Sequence, residues 1–422
     1  MKTIVKSLFF LILLIPTLNY ATLYIGIGKT DITPPIGTPS AGYVDRKGEG
    51  MQGIHDPLTA IALFIDNGEK KIVLCSVDHL GFTYEMTQDI IQQVHAVPQL
   101  GQCEIYIGSS HTHSGGGAFL NIPIIGESLA GTYNPAMTQF YVKKTVEAIV
   151  QASQNLIPAK IGIGYGQAGD LSLYRGQWPT GITPLSDVAV IKVTKLDDTP
   201  VAVLFNYAVH PTVLKSQNRL FSSDFVGYAR DHLQTLLGSN VQPIYFNGAQ
   251  GDIIPVISNE GDRFESCEYL GHSLAETVQK IWNDTKTNDF LSIKTQKESY
   301  AFKPQATPYG LTLPLESYKS EMNVIVLNQL HAFITIPGEL SCIYDRQLKA
   351  LGNELGYVHV SIFGLTNDAH GYIILPESWR HKTLESSLSF GGENYGDFIK
   401  SSTENLLKSN APCLSSGQRP DV

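Results

Sequence analysis

The 422-residue chain is 43% hydrophobic, enough to bury a large core, and its length admits one large α/β domain or two to three smaller ones. Its 30 Lys and Arg against 39 Asp and Glu leave a formal charge of -9 with no basic run, which argues against nucleic acid and offers no patch to an anionic membrane surface. Five cysteines, an odd number with no Cys-x-x-Cys pair, argue against a disulfide scaffold and a structural cysteine–zinc site.

Residues 1–21 read as an export signal. Lys2 and Lys6 precede the apolar run Leu8–Ile15, Pro16 follows, and a cut after Ala21 would yield a secreted or periplasmic protein. The next elements are a strand over Leu23–Gly28 and a proline-stiffened loop over Asp31–Pro39. Thr59–Ile65 and Lys71–Val77 flank Asp66-Asn-Gly-Glu69, the signature of an antiparallel hairpin, because Asn-Gly accepts positive φ. A helix over Tyr84–Val94 leads to a strand over Glu104–Gly108. At its end stand His111 and His113, which an extended backbone would point to the same side. Such a pair can offer nitrogen ligands to zinc, and it can equally be a polar turn.

Val142, Val146, Ile149 and Val150 mark an amphipathic helix within 135–156 that should lie on the sheet. Lys160–Tyr165 is strand-like. Asp187–Val193 and Val201–Tyr207 form a second hairpin, which delivers His210. Helices over Val226–Leu237 and Cys267–Trp282 enclose a strand over Pro243–Phe246. Further on, Asn323–Leu327 and His331–Ile336 pair. Pro337–Leu340 is expected to open a helix reaching about Leu355, with Glu339 at the strand-to-helix junction. Tyr357–Phe363 is a strand, and a glycine-containing loop then carries Tyr372. The fold class is α/β (mixed α+β): a single large domain over 22–410, its mixed β-sheets layered with helices and a metal site at strand ends, followed by a flexible tail over 411–422.

Strand ends in such sheets converge on one rim, and His111, His210, Glu339 and Tyr372 each lie within a few residues of one, although each alone has a structural explanation. Eight blocks carry a more specific signal: Gly26–Thr33, Gly53–His55, Ser110–Gly115, Ala208–Thr212, Ser223–Tyr228, Gly251–Pro255, Pro337–Glu339 and Asn367–Tyr372. In content and order they resemble the neutral, non-lysosomal ceramidase family. The resemblance implies a zinc hydrolase that cleaves the N-acyl amide bond of ceramide or a related N-acyl lipid with metal-activated water. It implies zinc on His111, His210, Glu339 and Tyr372, and His113 and Arg175 as catalytic groups lining the reacting centre.

Departures from the family pattern narrow this reading. Ile254 stands where the family's Gly-Asp-x-Ser-Pro motif has serine, which excludes a covalent mechanism through that position. Leu388 or Phe390 occupies the region of a second family tyrosine. The segment between Tyr228 and Pro337 looks short and no β-sandwich follows. A shallow cleft is therefore expected, and a dependence on acyl length that flattens early. The rival readings are a zinc hydrolase of the same fold acting on another amide or ester, a non-catalytic exported binding protein, and a serine hydrolase using Ser110 or Ser114. Zinc is the expected cofactor. A lipid or N-acyl amide is the expected partner, with peripheral membrane contact left open and no nucleic acid.

Overall fold

The computed structural model describes residues 22–122 and 124–413. The expected signal over 1–21 and the tail beyond Cys413 lie outside the described residues.

Four layers account for the architecture. An eight-stranded sheet runs in the order Gln242–Asn247, Pro200–Tyr207, Asp187–Lys195, Ile157–Gln167, Tyr24–Asp31, Thr59–Asp66, Lys71–Val77, Glu104–Ser109. A four-stranded sheet, Ile293–Phe302, Tyr318–Leu327, His331–Thr335 and His359–Phe363, packs on one face of it. The alternation of side chains explains the layering. Ile61, Leu63 and Ile65 meet Ile325, Phe333 and Phe363 between the sheets. Ala60, Ala62 and Phe64 on the same strand face the helices Tyr84–His95 and Pro135–Gln154. Both faces are buried, so the strand reads as an unbroken apolar run. Helices Phe225–Leu237 and Arg263–Asp284 cover the other half of the large sheet, and Cys342–Glu354 and Tyr395–Ser409 cover the small one.

The first hairpin turns as expected: Asn67 Oδ1 accepts from the backbone N–H of Glu69 and Lys70, and Gly68 has φ 83. Helix Pro135–Gln154 lies so close to the first strand that a Cβ at Gly26 or Gly28 would sit 1.9–2.0 Å from the carbonyl oxygens of Ala152 and Ala148. All five cysteines are free thiols. No helix among the described residues is long and apolar enough to cross a membrane.

Two local expectations are corrected. Pro337–Leu340 does not open the helix. Glu339–Leu340 is a two-residue strand parallel to Tyr372–Ile373, and the helix begins at Cys342, capped by the Ser341 hydroxyl. The Glu339 N–H donates to the Gly371 carbonyl at 2.9 Å, so ladder bonds to a segment 32 residues on replace a helical start. His111, further, is not extended: its φ is 71, in the left-handed region.

Candidate metal and active site

Parallel pairing sets the location. The strands Lys71–Val77 and Glu104–Ser109 are parallel neighbours, as are Pro200–Tyr207 and Gln242–Asn247, and His331–Thr335 and His359–Phe363. Their C-terminal ends share one rim, where buried asparagines tie the loops together. Asn247 Nδ2 donates to the carbonyls of Ser110 and Val209. Asn367 pairs with Ile107 N–H and Ile105 C=O, joining the small sheet to the large one.

His111 and His113 leave the strand Glu104–Ser109, and the left-handed turn at His111 brings their Nε2 atoms within 3.3 Å. His210 follows the strand Pro200–Tyr207, and the nitrogens of the three imidazoles lie within 4.8 Å of one another. Glu339 Oε2 lies 3.3 Å from His111 Nε2 and 3.0 Å from His210 Nε2. Register places Tyr372 directly beside Glu339. Arg175 follows the short strand Ser172–Tyr174, which is antiparallel to Ile253–Pro255, and its Nη2 donates to the Tyr372 hydroxyl at 3.0 Å and to the Gly251 carbonyl at 2.9 Å. Its Nε donates to Glu385 at 3.0 Å. The six residues singled out from sequence therefore meet at one point in the fold.

The hydrogen bonds around the imidazoles separate them chemically. His111 Nδ1 donates to the Leu80 carbonyl at 2.6 Å and His210 Nδ1 to the Ile253 carbonyl at 3.0 Å. Both bonds fix the tautomer that leaves Nε2 with a free lone pair, the usual preparation of a metal-binding histidine. His113 has no such anchor, because its buried Nδ1 is without a partner. His210 Nε2 and Glu339 Oε2, although 3.0 Å apart, are buried without an aligned hydrogen bond. Orphaned polar atoms of this kind are costly unless something else satisfies them. The Nε2 atoms of His111 and His210, the Glu339 carboxylate oxygen and the adjacent Tyr372 phenol form a donor set that zinc accepts.

Electrostatics agree with the geometry. Burial, then Arg175, lowers His210 to about 4, and burial, then His111 and His210, holds His113 well below the usual imidazole value. Burial opposes the charge of Glu339, but the imidazoles of His111 and His210 outweigh it and hold the carboxyl well below its usual range. Burial and Glu339 push the Tyr372 hydroxyl upward.

Sequence reasoning missed the clamp on His113. The Tyr43 ring packs edge-on against the His113 ring at 4.8 Å, and the Arg46 guanidinium lies over Tyr43 at 5.0 Å. Arg46, only 3% exposed, donates to the His113 and Ser216 carbonyls, to Lys215 C=O at 3.0 Å, and to Ser40. These partners lie up to 170 residues away, and no local motif announces them. Asp252, pushed up to about 6 by burial, accepts from the Ser341 hydroxyl and Cys342 N–H and fixes the loop that carries Gly251. Neither candidate serine is bonded to an imidazole: Ser114 Oγ accepts from Asn218 and Ser110 Oγ is without a partner.

A cavity of about 130 Å³ opens onto His111, His113, Glu339 and Tyr372. Its other walls are apolar, built largely from Leu80, Phe119, Leu120, Ile122, Ile125, Leu129, Leu313, Leu388 and Phe390.

Against this geometry, the family model described as neutral/alkaline non-lysosomal ceramidase, N-terminal, matches residues 23–244, more than half of the chain. The chain belongs to the neutral/alkaline non-lysosomal ceramidase family. The matched stretch carries His111, His113, Arg175 and His210, while Glu339 and Tyr372 lie beyond it. Similar ceramidases include the neutral ceramidase of Drosophila melanogaster, 24% identical over 317 residues that cover 63% of this chain and 44% of that one. Neutral ceramidase A of Dictyostelium discoideum is 28% identical over 221 residues, 49% of this chain and 31% of that protein. The chain thus spans less than half the length of these relatives. In fold it is similar to the solved neutral ceramidase from Pseudomonas aeruginosa, with a TM-score of 0.81 at 15% identity, covering 95% of this chain and 77% of that one.

Proposed function

We propose that this ceramidase-family chain is an exported zinc-dependent hydrolase that cleaves the N-acyl amide bond of ceramide or a related N-acyl lipid, with water as the nucleophile. One observation carries the reading: tautomer-fixed His111 and His210 turn their Nε2 atoms, with Glu339 Oε2, to a common point beside an apolar cavity, and His210 Nε2 and Glu339 Oε2 are there without a hydrogen-bond partner. His111, His210, Glu339 and Tyr372 would hold the zinc. Zinc bound there supplies Lewis acidity, which acidifies water towards a pKa of about 7 and polarises a carbonyl.

The chain's own groups do the rest. The apolar walls hold an acyl chain and exclude water from the amide. Arg175, cationic and anchored by Glu385 and Gly251, points Nη2 at the Tyr372 hydroxyl, so the two can stabilise negative charge developing on the carbonyl oxygen. Such a donor is typically worth about 10²–10³ in rate. His113, clamped by Tyr43 and Arg46, stands beside the same point to hydrogen-bond the attacking water or the tetrahedral intermediate. The cavity volume of about 130 Å³ supports a grip on only part of a long chain, since pockets enclosing a drug-sized ligand run to about 300–1,000 Å³. Exposed Ile124, next to Ile125 of the cavity wall, supports peripheral contact with a lipid surface.

The test is hydrolysis of a panel of N-acyl amides and matched esters in mixed micelles, before and after chelation and after zinc is restored. Amide hydrolysis that is lost on chelation and recovered with zinc is expected. Full activity in metal-free protein would overturn the proposal.

A further inference from the structure

The cavity at the site shares a wall with a second, larger space. Thr83, Phe119, Leu120, Ile122 and Tyr318 line both. Beyond that wall charge enters the lining: a groove of about 420 Å³ adds Glu85, Asp89, Asn121 and Gln139 to the apolar Met86 and Leu315. No lysine, arginine or histidine is among its described lining residues. Asp89 takes hydrogen bonds from Gln93 and Gln139, so its carboxylate is solvated by amides and left unneutralised.

An acyl chain longer than the small apolar cavity must either stop outside it or leave by another route. We propose that the shared wall is that route, and that the groove is a subsite for the distal end of the acyl chain. This rests on the hydrolase reading above and deepens it. Methylenes in the apolar section should each raise kcat/KM by roughly fourfold, and those that reach the wider, partly charged groove should add less. The substrate class then extends to N-acyl amides whose chains end in a polar group. Hydroxyl and ammonium termini suit the groove, and a carboxylate terminus meets Glu85 and Asp89, which also line an adjoining pocket where Lys319 is the one cation among the described lining residues.

The experiment compares N-dodecanoyl amides ending in methyl, hydroxyl, ammonium or carboxylate, with the N-hexanoyl amide as a short reference, on the full chain. The hydroxyl and ammonium substrates should fall within about threefold of the methyl one, and the carboxylate about tenfold below it. The double variant Glu85→Gln, Asp89→Asn should narrow the gap between carboxylate and hydroxyl substrates. A loss of tenfold or more for all three polar termini would mean a closed apolar end and would overturn the proposal. If the N-hexanoyl amide is itself not cleaved, the hydrolase reading fails by its own test. Calorimetric binding of the four dodecanoyl compounds then decides the groove alone: the same order supports it, and uniform refusal of polar termini rejects it.

Discussion

At the scale of single residues, the site is built by atoms that the sequence could nominate and held by atoms that it could not. Histidines near strand ends and a family motif order pointed to His111, His113, Arg175, His210, Glu339 and Tyr372. Nothing local pointed to Arg46, whose value lies in carbonyls it meets only after folding. Arg46→Met should leave those buried acceptors unpaired and cost about 1–3 kcal/mol in urea denaturation. It should also lower kcat through a loosened His113 while zinc content stays unchanged. Ser114→Ala should retain substantial hydrolysis, because its hydroxyl faces Asn218 rather than an imidazole. Stoichiometric labelling of any serine by an acylating reagent, read by mass spectrometry, would contradict water as the nucleophile.

At the scale of elements, strongly patterned segments were legible and weakly patterned ones were not. The hairpin Thr59–Val77 and the helix Pro135–Gln154 announce themselves by Asn-Gly chemistry and by periodicity. The strand Ile293–Phe302 is polar from Lys294 to Ser299 because it is the edge of the small sheet, so apolar alternation is faint over that stretch. The helix Tyr395–Ser409 did carry a signal, with Tyr395, Ile399, Leu406 and Leu407 buried on one face. The Glu339–Leu340 strand had none, since a two-residue pairing with Tyr372–Ile373 depends on tertiary contact. Long-range ties of this sort also join helix to sheet. Arg230 on the helix Phe225–Leu237 pairs with fully buried Asp78 at the end of the strand Lys71–Val77, with Nη2 2.7 Å from Oδ2. Arg230→Met should strand that carboxylate and lower stability by about 3–5 kcal/mol, measured by chemical denaturation. A change below about 1 kcal/mol would show that the pair is solvated in solution.

For the whole molecule, the joint between the two sheets predicts a pH response. His331 and His359 stand opposite each other in parallel register on the small sheet. Tyr165 of the large sheet stacks on His359 at 3.8 Å and its hydroxyl bonds His331 Nδ1 at 2.9 Å. Burial lowers His331 to about 4, and burial, then Lys349, lowers His359 to about 3. Above about pH 6.5 both are neutral folded or unfolded, and their contribution is whole. As pH falls from there towards 4 and then 3, the unfolded chain takes up protons that the folded chain refuses, so stability should decline. The urea midpoint should drop between pH 7 and pH 4.5, and His331→Gln should flatten that drop. An equal slope in the variant would remove His331 from the account. The central claim concerns the metal, and it is tested most directly by the zinc content per chain, measured by elemental mass spectrometry on wild type, His210→Ala and His113→Ala purified side by side. The account predicts about one zinc in wild type and in His113→Ala, and a strong loss in His210→Ala; a His210→Ala protein that keeps its zinc while His113→Ala loses it would contradict the assignment.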